Sequence, residues 1–234
     1  MSSAFEFVSV DFRDMPFDDG ILKKYLHDSE LSRISKAAEK RKQEFLYGRI
    51  CAKAAYKKLT GRDISYNMFP VRSDSRGSPF LDDGSCFVSI THDSGLAAAI
   101  VSNKEKLRAA VDVQRMDYHN TEVIYKFLNE REKLLFNSVS LGFRREFTAS
   151  AFWTAKEAMS KLFGYGFSMF SALEISEVGR EEYVFVNFKN FSGFKVILRE
   201  QGEFLFAFAA ENKEVQIFSD YPLKILTPTE LFGI

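Results

Sequence analysis

The sequence predicts a mixed helix-and-strand protein with two similar lobes. A long helical segment followed by short strands occurs in the first half of the chain and again in the second half. The chain has 234 residues, 46% of them hydrophobic, which is enough for a substantial core in one large or two small domains. Two lobes predict a cleft between them, which is a usual place for a ligand.

The first half of the chain begins with a strand and continues into a long helix. Residues 5–12 alternate loosely between apolar and polar side chains and predict a strand. Residues 36–59 are rich in alanine, lysine, leucine and glutamate, and they predict a helix that ends at Thr60-Gly61. A meander of three strands is predicted next, at residues 87–91, 96–102 and 107–114.

The second half of the chain repeats this order. Residues 143–163 predict a long helix closed by Gly164. Three strand-like runs follow, at residues 183–188, 194–199 and 204–210. We therefore expect an N-terminal lobe at 1–105 and a C-terminal lobe at 106–234, with the active site between them.

Charge and composition narrow the class of partner. The 32 basic and 32 acidic side chains cancel, so no global positive field attracts nucleic acid. Two cysteines in so long a chain predict reduced thiols rather than a disulfide framework. No apolar run approaches the roughly 18 residues of a membrane span, and Glu6 and Asp11 interrupt the first apolar run. We expect no membrane partner, no secretory signal and a cytoplasmic location.

The strand-like run 110–114 places a carboxylate among apolar side chains. Asp112 and Gln114 share one face of the strand, while Val111 and Val113 share the other. An aspartate inside an apolar strand is costly unless it is paired or bound to a cation. A water-exposed acid at the end of a strand also explains the pattern, so this run alone leaves both interpretations open.

The helical run 152–166 carries a second carboxylate. Trp153, Glu157 and Lys161 follow one another at four-residue steps on one helix face. A carboxylate and a lysine suit a metal and a phosphate, because Mg²⁺ prefers one or two carboxylates together with substrate phosphates. A simple surface ion pair between Glu157 and Lys161 would show the same spacing.

Candidate phosphate contacts lie in the first half of the chain. Thr91 and His92 stand at the end of a predicted strand, where side-chain and backbone donors can hold a phosphate, although an exposed turn histidine has the same sequence. An upstream basic series consists of Arg33, Arg41, Arg49 and Lys53. Such a series forms either a solvated face or a contact for the anionic end of a nucleotide.

Taken in order, these segments resemble the 4′-phosphopantetheinyl transferase superfamily, and in particular its two-lobed surfactin-synthetase-activating type. The resemblance spans residues 33–166, over half of the chain. Its motifs are Gly48-Arg49 on the basic helix, the turn Gly77-Ser78-Pro79, Thr91-His92, the strand Ala110-Val111-Asp112-Val113-Gln114, and the helix Trp153-Thr154-Ala155-Lys156-Glu157-Ala158 with Lys161 and Gly164-Tyr165-Gly166. The helix motif is quite specific, and the others gain weight from their order.

The resemblance implies an α+β fold of two similar lobes in a pseudo-twofold arrangement, each a long helix packed on a small antiparallel sheet. It also implies the reaction. The 4′-phosphopantetheine group of coenzyme A is transferred, with Mg²⁺, to a serine of an apo acyl or peptidyl carrier protein, and adenosine 3′,5′-bisphosphate is released.

The resemblance also assigns roles to residues. Asp112, Glu157 and Gln114 are expected at the magnesium, and Asp112, Glu157 and Lys161 are the expected catalytic residues. The expected contacts to coenzyme A are Arg33, Arg49, Arg76, Thr91, His92 and Lys161. Either Glu157 or a metal-bound water takes the proton of the serine hydroxyl.

Two positions depart from the pattern of the family. Gln114 replaces the second acid of an Asp-x-Glu pair, which removes one negative charge and predicts weaker metal binding unless another acid, such as Glu122, contributes. Ser78 replaces the usual lysine of a Gly-Lys-Pro turn. These departures keep open a catalytically degenerate protein that binds coenzyme A or a carrier protein. A third class, an interaction module with accidental motifs, predicts no coenzyme A binding at all.

The carrier protein is not specified by the sequence. Carrier proteins are often acidic, so Arg144 and Arg145 are candidate contacts for them. Two lobes fused in one chain predict a monomer.

Overall fold

A computed structural model of the protein describes residues 3–227 and 230–231, without the side chain of Phe167. The chain divides into two compact units, Met1–Ala109 with Lys224–Ile234 and Ala110–Leu223. The ends of the predicted lobes, residues 1–2 and 232–234, lie outside the described residues, and the position of the active site between the lobes stays a prediction.

The first unit is a four-stranded sheet with a long helix packed on it. Its elements are β1 (Phe5–Asp11), α1 (Asp19–Tyr25), α2 (Asp28–Ile34), α3 (Glu39–Thr60), β2 (Arg72–Ser73), β3 (Pro79–Phe80), β4 (Cys86–Asp93), β5 (Leu96–Asn103) and, near the C-terminus, β11 (Ile225–Leu226). The sheet order is β11-β1-β5-β4, and β2 pairs separately with β3. The β1–β11 pair is parallel and places residues 224–226 with the first unit, whereas the sequence assigned them to the second lobe.

The second unit is a five-stranded antiparallel sheet with its own long helix. Its elements are β6 (Ala110–Arg115), α4 (Tyr118–Phe127), α5 (Glu130–Val139), α6 (Arg145–Phe163), β7 (Ile175–Arg180), β8 (Val184–Phe188), β9 (Phe194–Gln201), β10 (Phe204–Glu211) and α7 (Ile217–Asp220). The sheet order is β6-β10-β9-β8-β7. The prediction that β6 continues the first meander was wrong, because β6 pairs with β10 and β1 occupies the available edge of β5.

The two units repeat one order of elements. Each begins with a strand, continues through two short helices and a long helix, and ends in two pairs of strands. Both long helices end at a glycine in the left-handed region, Gly61 with φ 68° and Gly164 with φ 73°, as predicted. The predicted α+β class, a long helix on a small sheet in each unit, is confirmed.

An apolar stripe on α6 forms the contact with its sheet. Phe152, Ala155 and Met159 are fully buried, and the ring of Phe163 lies 4.9 Å from that of Phe194. Because this stripe packs against the sheet, the opposite helix face, with Trp153 and Glu157, is partly exposed.

α3 and β4 approach each other closely at Gly48. A Cβ atom on Gly48 would lie 2.9 Å from Cγ2 of Ile90, so only glycine fits here without a shift. No helix within the described part of the chain combines the length and the apolar character needed to cross a membrane.

Candidate active site

Asp112 and Lys161 form an ion pair in the second unit. Asp112 lies on β6 and is 6% exposed. From the last turn of α6, Lys161 Nζ donates to Asp112 Oδ1 at 2.6 Å and to the Val111 carbonyl at 3.5 Å. The aspartate of the predicted strand is therefore paired with the lysine of the predicted helix motif.

Glu157 lies one helical turn before Lys161 and is half-buried. Burial and, to a smaller extent, the negative charge of Asp112 raise the pKa of the Glu157 carboxyl to about 7, against the opposing effect of the positive charge of Lys161. The charge of Asp112 acts on Glu157, so the two carboxylates share one electrostatic environment. A divalent cation relieves the unfavourable charge of such a pair.

Gln114 contributes an unsatisfied oxygen on the same strand face as Asp112. Its Oε1 atom is buried and accepts no hydrogen bond within the described part of the chain. A buried acceptor without a partner is costly and calls for an explanation. Two carboxylates and an amide oxygen are the hard oxygen donors that Mg²⁺ prefers, so the residues fit this ion.

The acidic donors are few. Within residues 3–227 and 230–231, no group of three or more histidine, cysteine, aspartate or glutamate side chains forms a complete metal cage. Mg²⁺ usually keeps water and substrate phosphates in its coordination sphere, so a small donor set suits it. Glu122, considered above as a further acid, is exposed and pairs with Arg145 at 3.3 Å.

A basic cavity of about 280 Å³ lies in the first unit. Arg33, Arg41, Arg49 and His92 line it, and among its described lining residues Glu44 is the one acid. Arg41 Nη1 lies 2.9 Å from His92 Nε2, and Glu44 lies 3.5 Å from Arg41 and 3.8 Å from His92 Nδ1. The excess of positive charge makes this a site for an anion.

Arg49 is the most deeply placed cation of this cavity. It is 7% exposed, and its guanidinium lies over the Phe45 ring at 4.4 Å. It donates to Ser73 Oγ at 3.3 Å, while Nε, 3.4 Å from Glu30, makes no hydrogen bond within the described residues. Burial lowers the pKa of Arg49 to about 10, which keeps it charged at neutral pH.

The remaining predicted contacts to coenzyme A lie elsewhere. Thr91 is buried and, by strand alternation, faces the side of the sheet opposite His92. Arg76 lies in the loop before β3, exposed and 3.8 Å from Asp74. Lys53, a member of the basic series, is fully buried and bonded to Glu30, so it does not belong to the cavity.

An apolar cavity of about 330 Å³, here called the Trp153 cavity, was not predicted from the sequence. It lies in the second unit among α4, α5 and α6. The Trp153 ring packs edge-to-face on Phe127 at 6.0 Å and on Phe170 at 5.4 Å. Lys156 also lines it. Trp153 precedes Glu157 by one turn on the same helix face.

The proposed carrier contacts are both ion-paired. Arg144 donates to Glu200 at 2.5 Å, and Arg145 pairs with Glu122. Their role toward a carrier protein stays a prediction.

Two family models match this chain. A 4′-phosphopantetheinyl transferase N-terminal domain matches residues 29–102, and the 4′-phosphopantetheinyl transferase superfamily matches residues 108–226. The second match covers just over half of the chain. The chain therefore belongs to the 4′-phosphopantetheinyl transferase superfamily, which confirms the predicted family and enzyme class.

Individual relatives cover parts of the chain. The holo-[acyl-carrier-protein] synthase of Bacillus subtilis is 39% identical over 88 residues, which are 34% of this chain and 73% of that protein. Enterobactin synthase component D of Salmonella typhi is 32% identical over 133 residues, 56% of this chain and 52% of that protein. A crystal structure of a holo-(acyl-carrier-protein) synthase from Bacillus anthracis in complex with CoA (3′,5′-ADP) is 27% identical with a TM-score of 0.38, covering 43% of this chain and 94% of that one.

Proposed function

We propose that the protein transfers the 4′-phosphopantetheine group of coenzyme A to a serine hydroxyl of an apo acyl or peptidyl carrier protein, with Mg²⁺, and releases adenosine 3′,5′-bisphosphate. The observation that carries this proposal is the group formed by Asp112, Glu157 and Lys161 beside the unsatisfied Gln114 oxygen. Relatives named holo-[acyl-carrier-protein] synthase support the substrates. The separate N-terminal family match supports the two-lobed surfactin-synthetase-activating type.

Asp112, Glu157 and Gln114 would hold Mg²⁺. When bound, the ion supplies positive charge that stabilises the pyrophosphate and the charge that develops on the leaving group. The ammonium group of Lys161 adds a second positive charge beside Asp112. Fixed charges that need no rearrangement during the reaction are an effective source of transition-state stabilisation.

Glu157 accepts the proton of the serine hydroxyl. The serine oxygen forms a bond to the β-phosphorus of coenzyme A, and the bond from that phosphorus to the bridging oxygen breaks. Its electron pair leaves with adenosine 3′,5′-bisphosphate, and the serine proton goes to the Glu157 carboxylate. The ionised carboxylate is the form that accepts this proton. The pKa of Glu157 is about 7 without the ion, and a neighbouring cation would lower it and favour the ionised form.

The basic cavity of the first unit takes the 3′-phosphate of coenzyme A. Arg41 and Arg49 offer guanidinium donors, and His92 lies 2.9 Å from Arg41 at the same cavity. Arginine pairs with phosphate through two parallel hydrogen bonds, which favours it over other cations for this anion.

Replacing Arg41 with alanine should reduce the selectivity for coenzyme A over dephospho-coenzyme A, which lacks the 3′-phosphate. One charged hydrogen bond is lost, so kcat/KM for coenzyme A should fall about 10- to 100-fold, and kcat/KM for dephospho-coenzyme A should stay unchanged. Steady-state transfer to one carrier protein measures both. Arg62→Ala, which removes an exposed arginine paired with Asp83, is the matched control. Equal losses with both substrates would contradict this placement of the 3′-phosphate.

The Trp153 cavity suits the pantetheine arm. The arm is an uncharged chain that extends from the pyrophosphate, and the cavity is lined by aromatic rings, among them Trp153, which lies one helical turn before Glu157 on α6. Trp153→Ala should raise KM for coenzyme A about tenfold through lost apolar contact. Inhibition by adenosine 3′,5′-bisphosphate, which has no arm, should not change. A parallel loss of inhibition would show that Trp153 acts on the nucleotide end or on the fold.

Gln114→Glu should restore the charge that the family pattern carries at this position. We expect the Mg²⁺ concentration for half-maximal transfer to fall about tenfold, since a carboxylate binds the ion more strongly than an amide. A Mg²⁺ titration of the transfer rate measures it. Ser176→Glu adds the same charge at an exposed position on the opposite edge of the sheet and should change nothing. An unchanged Mg²⁺ requirement in Gln114→Glu would remove position 114 from the ligand set.

The proposed function is tested by mass spectrometry of carrier proteins. The pure protein is incubated with coenzyme A, Mg²⁺ and a panel of apo acyl and peptidyl carrier proteins. A mass gain of one phosphopantetheine group, lost when EDTA is added, is the expected result. Retained coenzyme A binding without a gain on any carrier would instead favour a catalytically degenerate binding protein.

A further inference from the structure

The carboxylate of Glu132 joins three elements of the second unit. It completes the capping box of α5, where Oε2 accepts from the Asn129 backbone N–H at 3.2 Å. Oε1 accepts from the backbone N–H of Ile175, the first residue of β7, at 3.0 Å. The same oxygen lies 2.6 Å from Lys156 Nζ on α6. Glu132 is 1% exposed, so this junction is buried.

The first unit contains the same junction. Glu30 completes the capping box of α2, accepts from the Val71 backbone N–H at 3.0 Å and pairs with Lys53 at 2.5 Å. Lys53 and Lys156 each stand eight residues before the glycine that ends their helix, Gly61 or Gly164. The two junctions are therefore equivalent parts of a repeated architecture.

In contrast, Asp112 and Glu157 have no acidic counterparts at the equivalent described positions of the first unit. The residue after Lys156 is Glu157, and the residue after Lys53 is Ala54. Directly after β1, the Phe12 backbone N–H donates to the Gly95 carbonyl, and directly after β6, the Met116 N–H donates to the Glu203 carbonyl. These equivalent hydrogen bonds align the sequence of β1 with that of β6. This alignment places Val8 where the second unit has Asp112. The junction thus exists in a unit without the acidic pair, so its lysine is not by itself part of the chemistry.

A buried ion pair contributes little net stability, because the cost of desolvating both charges offsets their attraction. The pair instead fixes a single position of α6 relative to Glu132. Sliding or rotating α6 by one residue would leave the charges of Lys156 and Glu132 buried and unpaired, which is strongly unfavourable. The turn of α6 that this ion pair fixes also carries Glu157.

We propose that Lys156 is a positioning residue: through its pair with Glu132 it holds the turn of α6 that presents Glu157 toward Asp112. This inference rests on the proposed function, because it gives Glu157 its role there. Misplacing a reactive or metal-binding group by about 1 Å can cost on the order of 100-fold in rate. Lys156 lines the Trp153 cavity, but its ammonium lies 2.6 Å from the Glu132 carboxylate, so the lysine of the Trp-x-x-Lys-Glu motif acts through the helix and gives coenzyme A no hydrogen bond.

The test compares two pairs of variants in the full chain. Lys156→Met removes the lysine charge and keeps a similar length, while Lys156→Met/Glu132→Gln also removes the stranded carboxylate. We expect the single variant to lose about 10- to 100-fold in kcat and in Mn²⁺ affinity with coenzyme A present, with little change in KM for coenzyme A. The double variant should recover at least about tenfold of both losses.

The first unit supplies the matched control. Lys53→Met and Lys53→Met/Glu30→Gln make the same changes in the equivalent junction. We expect them to lower the melting temperature similarly and to leave Mn²⁺ affinity, measured by electron paramagnetic resonance well below the melting temperature, at the wild-type value. If Lys53→Met weakened Mn²⁺ binding as much as Lys156→Met does, the effect would be general destabilisation and the inference would be wrong.

Direct contact with coenzyme A predicts a different pattern. The double variant would then stay as impaired as Lys156→Met, and KM for coenzyme A would rise in both, which would overturn the positioning role. Should Lys156→Met fail to fold, the double variant decides the question, since we expect it to fold and to bind Mn²⁺ within about threefold of wild type. Mn²⁺ binding is read without transfer, so a wild-type protein that binds Mn²⁺ but transfers nothing refutes the proposed function separately.

Discussion

Glu157→Gln should reduce the transfer rate by at least about 1,000-fold, because it removes both a charge from the magnesium ligands and the base that accepts the serine proton. The amide keeps nearly the same shape, so the helix that carries it should remain in place. Single-turnover transfer to a carrier protein, followed by mass spectrometry, measures the loss. Substantial transfer by a folded Glu157→Gln protein would refute the role given to this carboxylate.

The melting temperature of Glu157→Gln at different pH values provides a control for folding. The pKa of Glu157 is raised to about 7 in the folded protein, so ionising this group costs folding stability as the pH rises from about 4.5 through 7. Without divalent cations, Glu157→Gln should therefore melt at a higher temperature than wild type at about pH 8. The difference should shrink as the pH falls and be absent below about pH 4.5. A variant that is less stable at high pH would show that Glu157 has favourable partners in the metal-free protein.

Asp112→Asn should also reduce transfer by about 1,000-fold. It removes a magnesium ligand and the partner of Lys161, whose ammonium lies 2.6 Å from the carboxylate. The measured quantities are kcat and the Mg²⁺ concentration for half-maximal activity, and we expect the first to fall and the second to rise.

Two comparisons decide how the Asp112 result is interpreted. Asp112→Asn/Glu157→Gln should be little worse than either single variant, because residues that act as one unit give strongly non-additive losses. Asp117→Asn removes a nearby acid that caps α4 and should keep nearly full activity. Additive losses in the double variant would mean that the two carboxylates serve separate steps.

The long helices and most strands could be predicted because their signals are local. Apolar spacing defines α3 and α6, and Gly61 and Gly164 end them in the left-handed conformation. The short helices α4 and α5 and the strand β7 were not predicted. In β7, exposed residues and a register shift replace the alternation that marks a strand. The sheet to which β6 belongs depends on pairing with β10, about 90 residues later in the chain, which no local pattern reports.

Residues of the candidate site could be predicted where a sequence motif names them. They could not be predicted where contacts between distant segments determine which side chain lies in the site. Motifs name both Asp112 and Lys161, and the structure brings the two side chains together, while their roles stay predictions. The sequence marks Arg41 only as one of a basic series, because its contact with His92 spans 51 residues. Lys53 belonged to the same series but is buried against Glu30. A basic side chain on a helix carries no sequence signal that separates a ligand contact from a buried ion pair.

The parallel pair of β1 and β11 links the two ends of the chain. Ser9 lies opposite Ile225 in this pair, and its hydroxyl donates to the Lys224 carbonyl at 2.9 Å. During synthesis on the ribosome, the sheet of the first unit therefore lacks one edge strand until the whole second unit has been made. Removal of β11 should consequently disturb the first unit, although β11 follows the second unit in the sequence.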